Sequence, residues 1–153
     1  MNPQAAQQNY LRTRVLTATP EQLQMMLFDG AVRFAEQAKI GLSQRNWEHS
    51  YNNISRCQKI IVELTASLRH DVDPDLCGKL ASLYTFAYKK LTVANIDHEI
   101  GALDEALEIL KFQRETWALL LDKLGKEKAG KAAQNINFAA PDSRMEDKIR
   151  MSA

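Results

Sequence analysis

Thr19-Pro20-Glu21-Gln22-Leu23-Gln24-Met25-Met26-Leu27-Phe28-Asp29-Gly30-Ala31-Val32-Arg33-Phe34 is the stretch on which the fold turns. Thr19 has the side chain of an N-cap, and Pro20 stands at N1, where a missing N–H costs nothing. Gln22 at N3 completes a T-x-x-Q capping box. Downstream, Leu23, Met26, Leu27, Gly30, Ala31, Phe34 and Ala38 recur at helical spacing. A helix is therefore expected from Pro20 to about Ser43, with these residues on its core stripe. Gly30 on that stripe is about 1 kcal/mol less favourable than Ala. It marks either the close approach of a neighbouring helix or a tolerated weak spot.

Outward from this helix the same period recurs three times. Asn46 caps a second helix with Trp47, Tyr51, Ile54, Cys57, Ile61, Leu64 and Leu68 on one face, ended by Asp71-Val72-Asp73-Pro74. A third starts near Asp75 and aligns Leu76, Leu80, Leu83, Tyr84, Ala87, Leu91 and Ala94. After a polar break from Asn95 to Gly101, a fourth carries Leu103, Ala106, Leu107, Leu110, Trp117, Leu121 and Leu124, with Gly125 as its stop. Short connections between long helices make antiparallel neighbours, so the expected fold is all-α, an antiparallel up-down four-helix bundle over residues 19–124. Residues 1–18 are polar without a sustained period and read as an extended, mobile N-terminal arm. Residues 125–153 read as a disordered C-terminal tail.

Composition excludes several function classes. The 153-residue chain carries 20 basic and 19 acidic side chains for a net charge of +1, so no long-range attraction to nucleic acid or anionic membrane is expected. Its purely apolar runs, such as Ala118-Leu119-Leu120-Leu121, are too short for membrane insertion. Met1-Asn2-Pro3-Gln4 does not open a signal peptide. Cys57 and Cys77 form no CxxC pair and read as small buried thiols in a reducing cytoplasm. Carboxylate-bridged metal sites in bundles need Glu-x-x-His pairs, and none of His49, His70 and His98 has an acid three residues before it. Nucleotide-binding and nucleophile-elbow motifs are absent. No catalytic, metal or cofactor site is expected.

What the chain has in surplus is apolar surface. At about 100° per residue, Met25, Phe28, Val32 and Ala35 point away from the Leu23–Phe34 stripe. Ile109, Phe112, Leu119 and Leu120 fall outside the main stripe of the last helix, and Phe86 and Val93 outside that of the third. Two readings compete. A helix flanked by two others carries a wide apolar arc as ordinary core, whereas exposed stripes of Met and Phe suit a partner helix.

The run Tyr10-x4-Val15-Leu16-Thr17-Ala18-Thr19-Pro20-Glu21-Gln22-Leu23, followed by Met26-Leu27-Phe28-Asp29-Gly30-Ala31-Val32-Arg33-Phe34, closely resembles the N-terminal signature of the FliS family of flagellar secretion chaperones. Arg56 through Leu64, Leu83-Tyr84 with Leu91 and Ala94-Asn95, and Leu103-Asp104-Glu105 through Trp117 agree in order, so the resemblance covers residues 9–124. Phe28 departs from the family's frequent Tyr, and Cys57 from its usual Ala. The resemblance implies a cytoplasmic chaperone whose partner is the disordered C-terminal segment of flagellin, held on the bundle's apolar outer surface and delivered to the flagellar export apparatus. It implies too that Tyr10 anchors an arm able to cover part of that surface, with Phe28 and Val32 beneath it. The expected contact residues are thus Tyr10, Met25, Phe28, Val32, Phe86, Ile109, Phe112, Leu119 and Leu120. The rival readings are a homodimer or larger homo-oligomer built through the same stripes, and a regulatory protein that sequesters another flagellar factor.

Overall fold

The computed structural model describes residues 2–138, and among them every regular element is an α-helix. These are α1 (Pro3–Thr17), α2 (Pro20–Ser43), α3 (Trp47–Ala66), α4 (Pro74–Asp97) and α5 (Ile100–Phe138). One compact unit runs to Thr116 and a second begins at Trp117, with α5 passing from one into the other.

Helix α2 starts as its sequence dictates. The Thr19 hydroxyl accepts the Gln22 N–H at 3.1 Å, and the Gln22 side chain accepts the Thr19 N–H at 3.0 Å. Asn46 caps α3 by accepting from His49 N at 3.2 Å, and Asp73 caps α4 by accepting from Leu76 N at 3.1 Å. The three interhelical corners are short. At the first, α2 ends in a Schellman arrangement: Asn46 N–H donates to Gly41 O at 2.8 Å and Arg45 N–H to Leu42 O at 3.2 Å, with Arg45 at φ 56°. At the third, α4 runs three residues into the expected polar break and closes on His98 at φ 55°. The imidazole of His98 stacks on Trp47, centroids 3.8 Å apart and planes 2° from parallel.

Packing brings α2 against α3 and α3 against α4. Ion pairs tie α5 to α2 through Lys39–Asp104 (2.7 Å) and Lys111–Glu36 (3.4 Å), and to α4 through Lys90–Glu105 (3.2 Å). Between α2 and α5 the paired numbers run in opposite directions, 39 with 104 and 36 with 111, so these helices are antiparallel, as the short corners make the consecutive ones. This is the four-helix bundle read from the sequence. Its core is Ile54, Cys57, Ile61 and Leu64 from α3, Tyr84, Ala87, Leu91 and Ala94 from α4, and Leu103, Ala106, Leu107 and Leu110 from α5.

The rotation of α2 differs from expectation. Phe28, Ala31, Val32, Ala35, Ala38 and Leu42 are buried, whereas Leu23, Met26, Leu27 and Phe34 are only half-buried. The inward face is turned by roughly a quarter of a turn from the expected stripe. The cause lies with two glycines. A Cβ on Gly30 would stand 3.1 Å from Ile60 Cδ1, and one on Gly41 2.8 Å from Ser50 N. The glycine flank is therefore where α3 packs closest, and the Phe28–Val32–Ala35 flank turns inward.

Two further expectations change. Residues 3–17 are helical, not extended: Asn2 accepts from Gln4 N at 3.1 Å with Pro3 in the first turn. The helix formers Ala, Gln, Leu and Arg that follow carry it on without an amphipathic face. No residue of α1 is buried. Gly125 does not stop α5, which continues to Phe138. Among the described residues no glycine has positive φ, so Gly125 supplies no left-handed turn to end the helix. The remainder of the expected tail, 139–153, lies outside the described residues.

Candidate functional site

The four seams of the bundle are not alike. Those that α5 makes with α2 and α4 are edged by the ion pairs above. Among the described residues none of the ion pairs involves α3. The α3–α4 seam instead opens into a groove of about 780 Å³, lined from α3 by Ile61, Val62, Thr65 and Ala66. From α4 it is lined by Tyr84, Thr85, Tyr88, Lys89, Thr92 and Val93.

The local sequence builds this groove. Tyr84, Tyr88 and Thr92 recur every fourth residue, so they line one flank of α4 in a row. Tyr84 at the inner end is buried, and desolvation pushes its hydroxyl up to about 12. Tyr88 and Val62 stay exposed, the latter at 54%. Thr65 donates its hydroxyl to Ile61 O at 2.8 Å, and Thr92 to Tyr88 O at 3.2 Å. These hydroxyls are spent on their own helices, which leaves the groove wall weakly polar. Gln58 bridges the helices beside it, its Nε2 donating to Thr92 Oγ1 at 2.9 Å and Tyr88 O at 3.2 Å. The bridge ties α3 to α4 beside the groove. Along α4 the lining from residue 84 to 93 spans about 14 Å, the length of two to three helical turns.

The structure places the expected contact residues in different surroundings. Phe28 and Val32 are 3% and 1% exposed, so they belong to the core and not to an outer stripe. Met25 and Ile109 are half-buried. Tyr10, Phe86, Phe112, Leu119 and Leu120 are exposed, but on separate elements. Tyr10 is on α1, and Phe86 on α4 has the Lys90 ammonium 5.4 Å from its ring centroid. Phe112 edges a smaller polar depression of about 410 Å³ with Lys39, Asp104 and Lys111. Leu119 and Leu120 belong to the second unit. Val93, read as lying outside its helix's main stripe, does line the groove.

Val62, Thr65, Thr85, Tyr88 and Thr92 escaped the sequence reading. A signal existed in the row Tyr84-x3-Tyr88-x3-Thr92, but a search for surplus Met, Phe and Leu passes over Tyr and Thr. Among the described residues no group of His, Cys, Asp and Glu is placed to hold a metal ion, and no helix is long and apolar enough to cross a membrane. The Cys57 thiol is buried, donates to Ala31 O at 3.3 Å, and is pushed up to about 12 by desolvation. A nucleophile needs the opposite shift.

Comparison with known proteins adds the lineage. Residues 2–124 match the model of the flagellar protein FliS family. The flagellar secretion chaperone FliS of Bacillus subtilis (strain 168) is 29% identical over 129 residues, covering 84% of this chain and 93% of that protein. The flagellar secretion chaperone FliS of Escherichia coli (strain K12) is 26% identical over 115 residues, covering 74% and 85%. A crystal structure of a bacterial flagellar chaperone superposes with a TM-score of 0.63 at 16% identity, covering 80% of this chain and 99% of that one, which shows the shared fold.

Proposed function

The chain belongs to the FliS family of flagellar proteins, and from that premise we propose that it is a cytoplasmic export chaperone which seats part of the flagellin C-terminal segment, as a helix, in the α3–α4 groove. The family is one of chaperones and not of enzymes, and a role in flagellar export follows from membership. The observation that carries the finer reading is the groove itself. It lies along a seam without ion pairs, long enough for two to three helical turns, with Val62 and Tyr88 uncovered along it.

The thermodynamic logic is coupled folding. A disordered segment has no core of its own in which to bury an apolar stripe, so it stays unstructured and free to polymerise with its own kind. Against the groove it gains burial at roughly 25 cal/mol per Å² of apolar surface, which must exceed about 1–2 kcal/mol per residue of backbone ordering. The surplus is modest. That suits a partner which must be released again at the export apparatus.

In this reading α1 is a displaceable cover. It holds Tyr10, Leu11, Val15 and Leu16 exposed, with no buried residue of its own. A cover that competes with the client lowers apparent affinity by the fraction of time it sits in place.

Calorimetric titration of the whole chain with the flagellin C-terminal segment of its own organism tests the proposal. One-to-one binding with a gain of helical circular dichroism is expected, and Val62→Asp abolishes it. Absence of binding by the unaltered chain refutes the reading. Deletion of residues 1–17 tightens binding if α1 is a cover, and leaves it unchanged if not. Sedimentation of the protein alone and with the segment distinguishes client binding from self-association, which would give a dimer indifferent to flagellin.

A further inference from the structure

The distribution of ion pairs around the bundle carries information about what fills the open seam. On the α5 side, Lys39, Lys90 and Lys111 each have a carboxylate partner, at 2.7, 3.2 and 3.4 Å. On the α3 side the cations have none. Among the described residues Lys59, Lys89, Arg33 and Arg56 lie in no ion pair within 4.0 Å. Arg33 and Arg56 are both engaged with the ring of Phe34, 5.2 and 5.7 Å from its centroid. Of the cations without a carboxylate, Lys59 and Lys89 are the two that stand at the cavities of the α3–α4 seam.

Their positions are specific. Lys89 lines the groove and is the only charged residue among its lining side chains. Lys59, on α3, lies just outside the lining, where with Ile60, Val62 and Glu63 it edges a shallow depression of about 340 Å³. Val62 borders both cavities, so it forms the ridge between the groove and Lys59. Glu63, one turn along α3, is the carboxylate nearest in sequence, yet it lies outside ion-pair distance of Lys59. An apolar trough is thus flanked by one uncommitted ammonium on each helix. At a protein surface, complementary charges of this kind steer encounter and set register more than they add affinity.

We infer that the α3–α4 groove is read by an amphipathic helix whose apolar face is edged by carboxylates, and that Lys59 and Lys89 pair with those carboxylates to fix its register. This rests on the proposal that the client occupies the groove, and it specifies the client's chemistry there: apolar at the centre, acidic on both shoulders. The ammoniums act at the rim, where each pair is worth only a few tenths of a kcal/mol to binding in water. Both pairs together therefore change affinity by about fivefold at low salt. Their larger signature is salt dependence, because rim pairs are screened within about 10 Å at 0.1 M ionic strength.

The experiment titrates the full chain with the flagellin C-terminal segment of the same organism by calorimetry, at about 50 mM and about 500 mM salt. Four proteins are compared: the unaltered chain, Lys59→Gln/Lys89→Gln, Lys89→Glu and Val62→Asp, each checked for an unchanged helical spectrum. The expected result is that the unaltered chain loses affinity as salt rises. The lysine double variant then binds about fivefold more weakly at low salt and with no salt dependence. Recovery of Lys89→Glu by a client carrying lysine in place of one acid identifies the pair. A double variant with the affinity and salt response of the unaltered chain overturns the inference, while loss of binding in Val62→Asp keeps the groove as the site. Full binding by Val62→Asp overturns both.

Discussion

Replacing Gly41 by alanine puts a methyl group into the tightest contact of the bundle. Its Cβ would lie 2.8 Å from Ser50 N, 3.1 Å from Ser50 Cα and 3.1 Å from His49 Cδ2. Two of these three atoms are backbone in the first turn of α3, so no rotamer change relieves the overlap. That turn is also held in place: Asn46 N–H donates to Gly41 O at 2.8 Å, and Asn46 in turn accepts from His49 N at 3.2 Å. Moving α3 outward strains both bonds. Overpacking of this type costs typically 1–3 kcal/mol, and the gain in helix propensity near a helix end offsets less than 1 kcal/mol of that. A net loss of about 1–2 kcal/mol is expected, equivalent to a fall in Tm of about 3–8 °C for a chain of this size. The assay is urea unfolding followed by helical circular dichroism, with Gly78→Ala as its internal control. Gly78 lies within α4 with nothing within 4 Å of the added methyl, so there the propensity gain of about 0.5–1 kcal/mol stands alone and the protein becomes more stable. Gly30→Ala falls between, because its only neighbour is the flexible end of Ile60 at 3.1 Å. If Gly41→Ala is as stable as the unaltered chain, close backbone packing is not what places α2 on α3, and the explanation given for the rotation of α2 fails with it.

Arg45→Gly is expected to stabilise the fold by up to about 1 kcal/mol in the same assay, since Arg45 is exposed and holds φ 56° at the C′ position of a Schellman motif that favours glycine. Thr19→Ala removes one half of the capping box and is expected to lower stability by about 1 kcal/mol, which serine at that position restores. Stability is expected to fall on the alkaline side. Cys57 and Tyr84 are raised from 9.0 and 10.0 to about 12 in the fold, so the unfolded chain releases these protons first. Their contribution is complete below pH 9 and is lost progressively as pH rises from 9 towards 12, and Cys57→Ala reduces the slope of Tm against pH in that window.

Some of this molecule was legible in residue order alone. Caps and breakers are local chemistry, so Thr19-Pro20-x-Gln22 and Asn46 placed the starts of α2 and α3, while Asp73-Pro74, read as the end of one helix, also caps and opens α4. The stripes Ile54–Cys57–Ile61–Leu64 and Leu103–Ala106–Leu107–Leu110 placed core residues of α3 and α5 correctly. The N-terminal signature was enough to identify the family. Ends without strong local signals went the other way. Helix α1 has formers but no amphipathic period, and Gly125 is unfavourable in a helix without being able to end one unless the backbone turns left-handed there.

The surface was decided by tertiary structure. Helix α2 carries apolar residues nearly all round, and periodicity in such a helix defines spacing but not phase. Which flank turns inward depends on where Gly30 and Gly41 let α3 approach, and that contact joins residues distant in the chain. The groove is likewise a relation between two helices. Gln58 spans α3 to α4 beside it, while α5 edges its own seams with ion pairs. One sequence specifies each helix face separately. Only their packing determines which apolar residues remain to meet a partner, because burial belongs to a pair of surfaces and not to a residue.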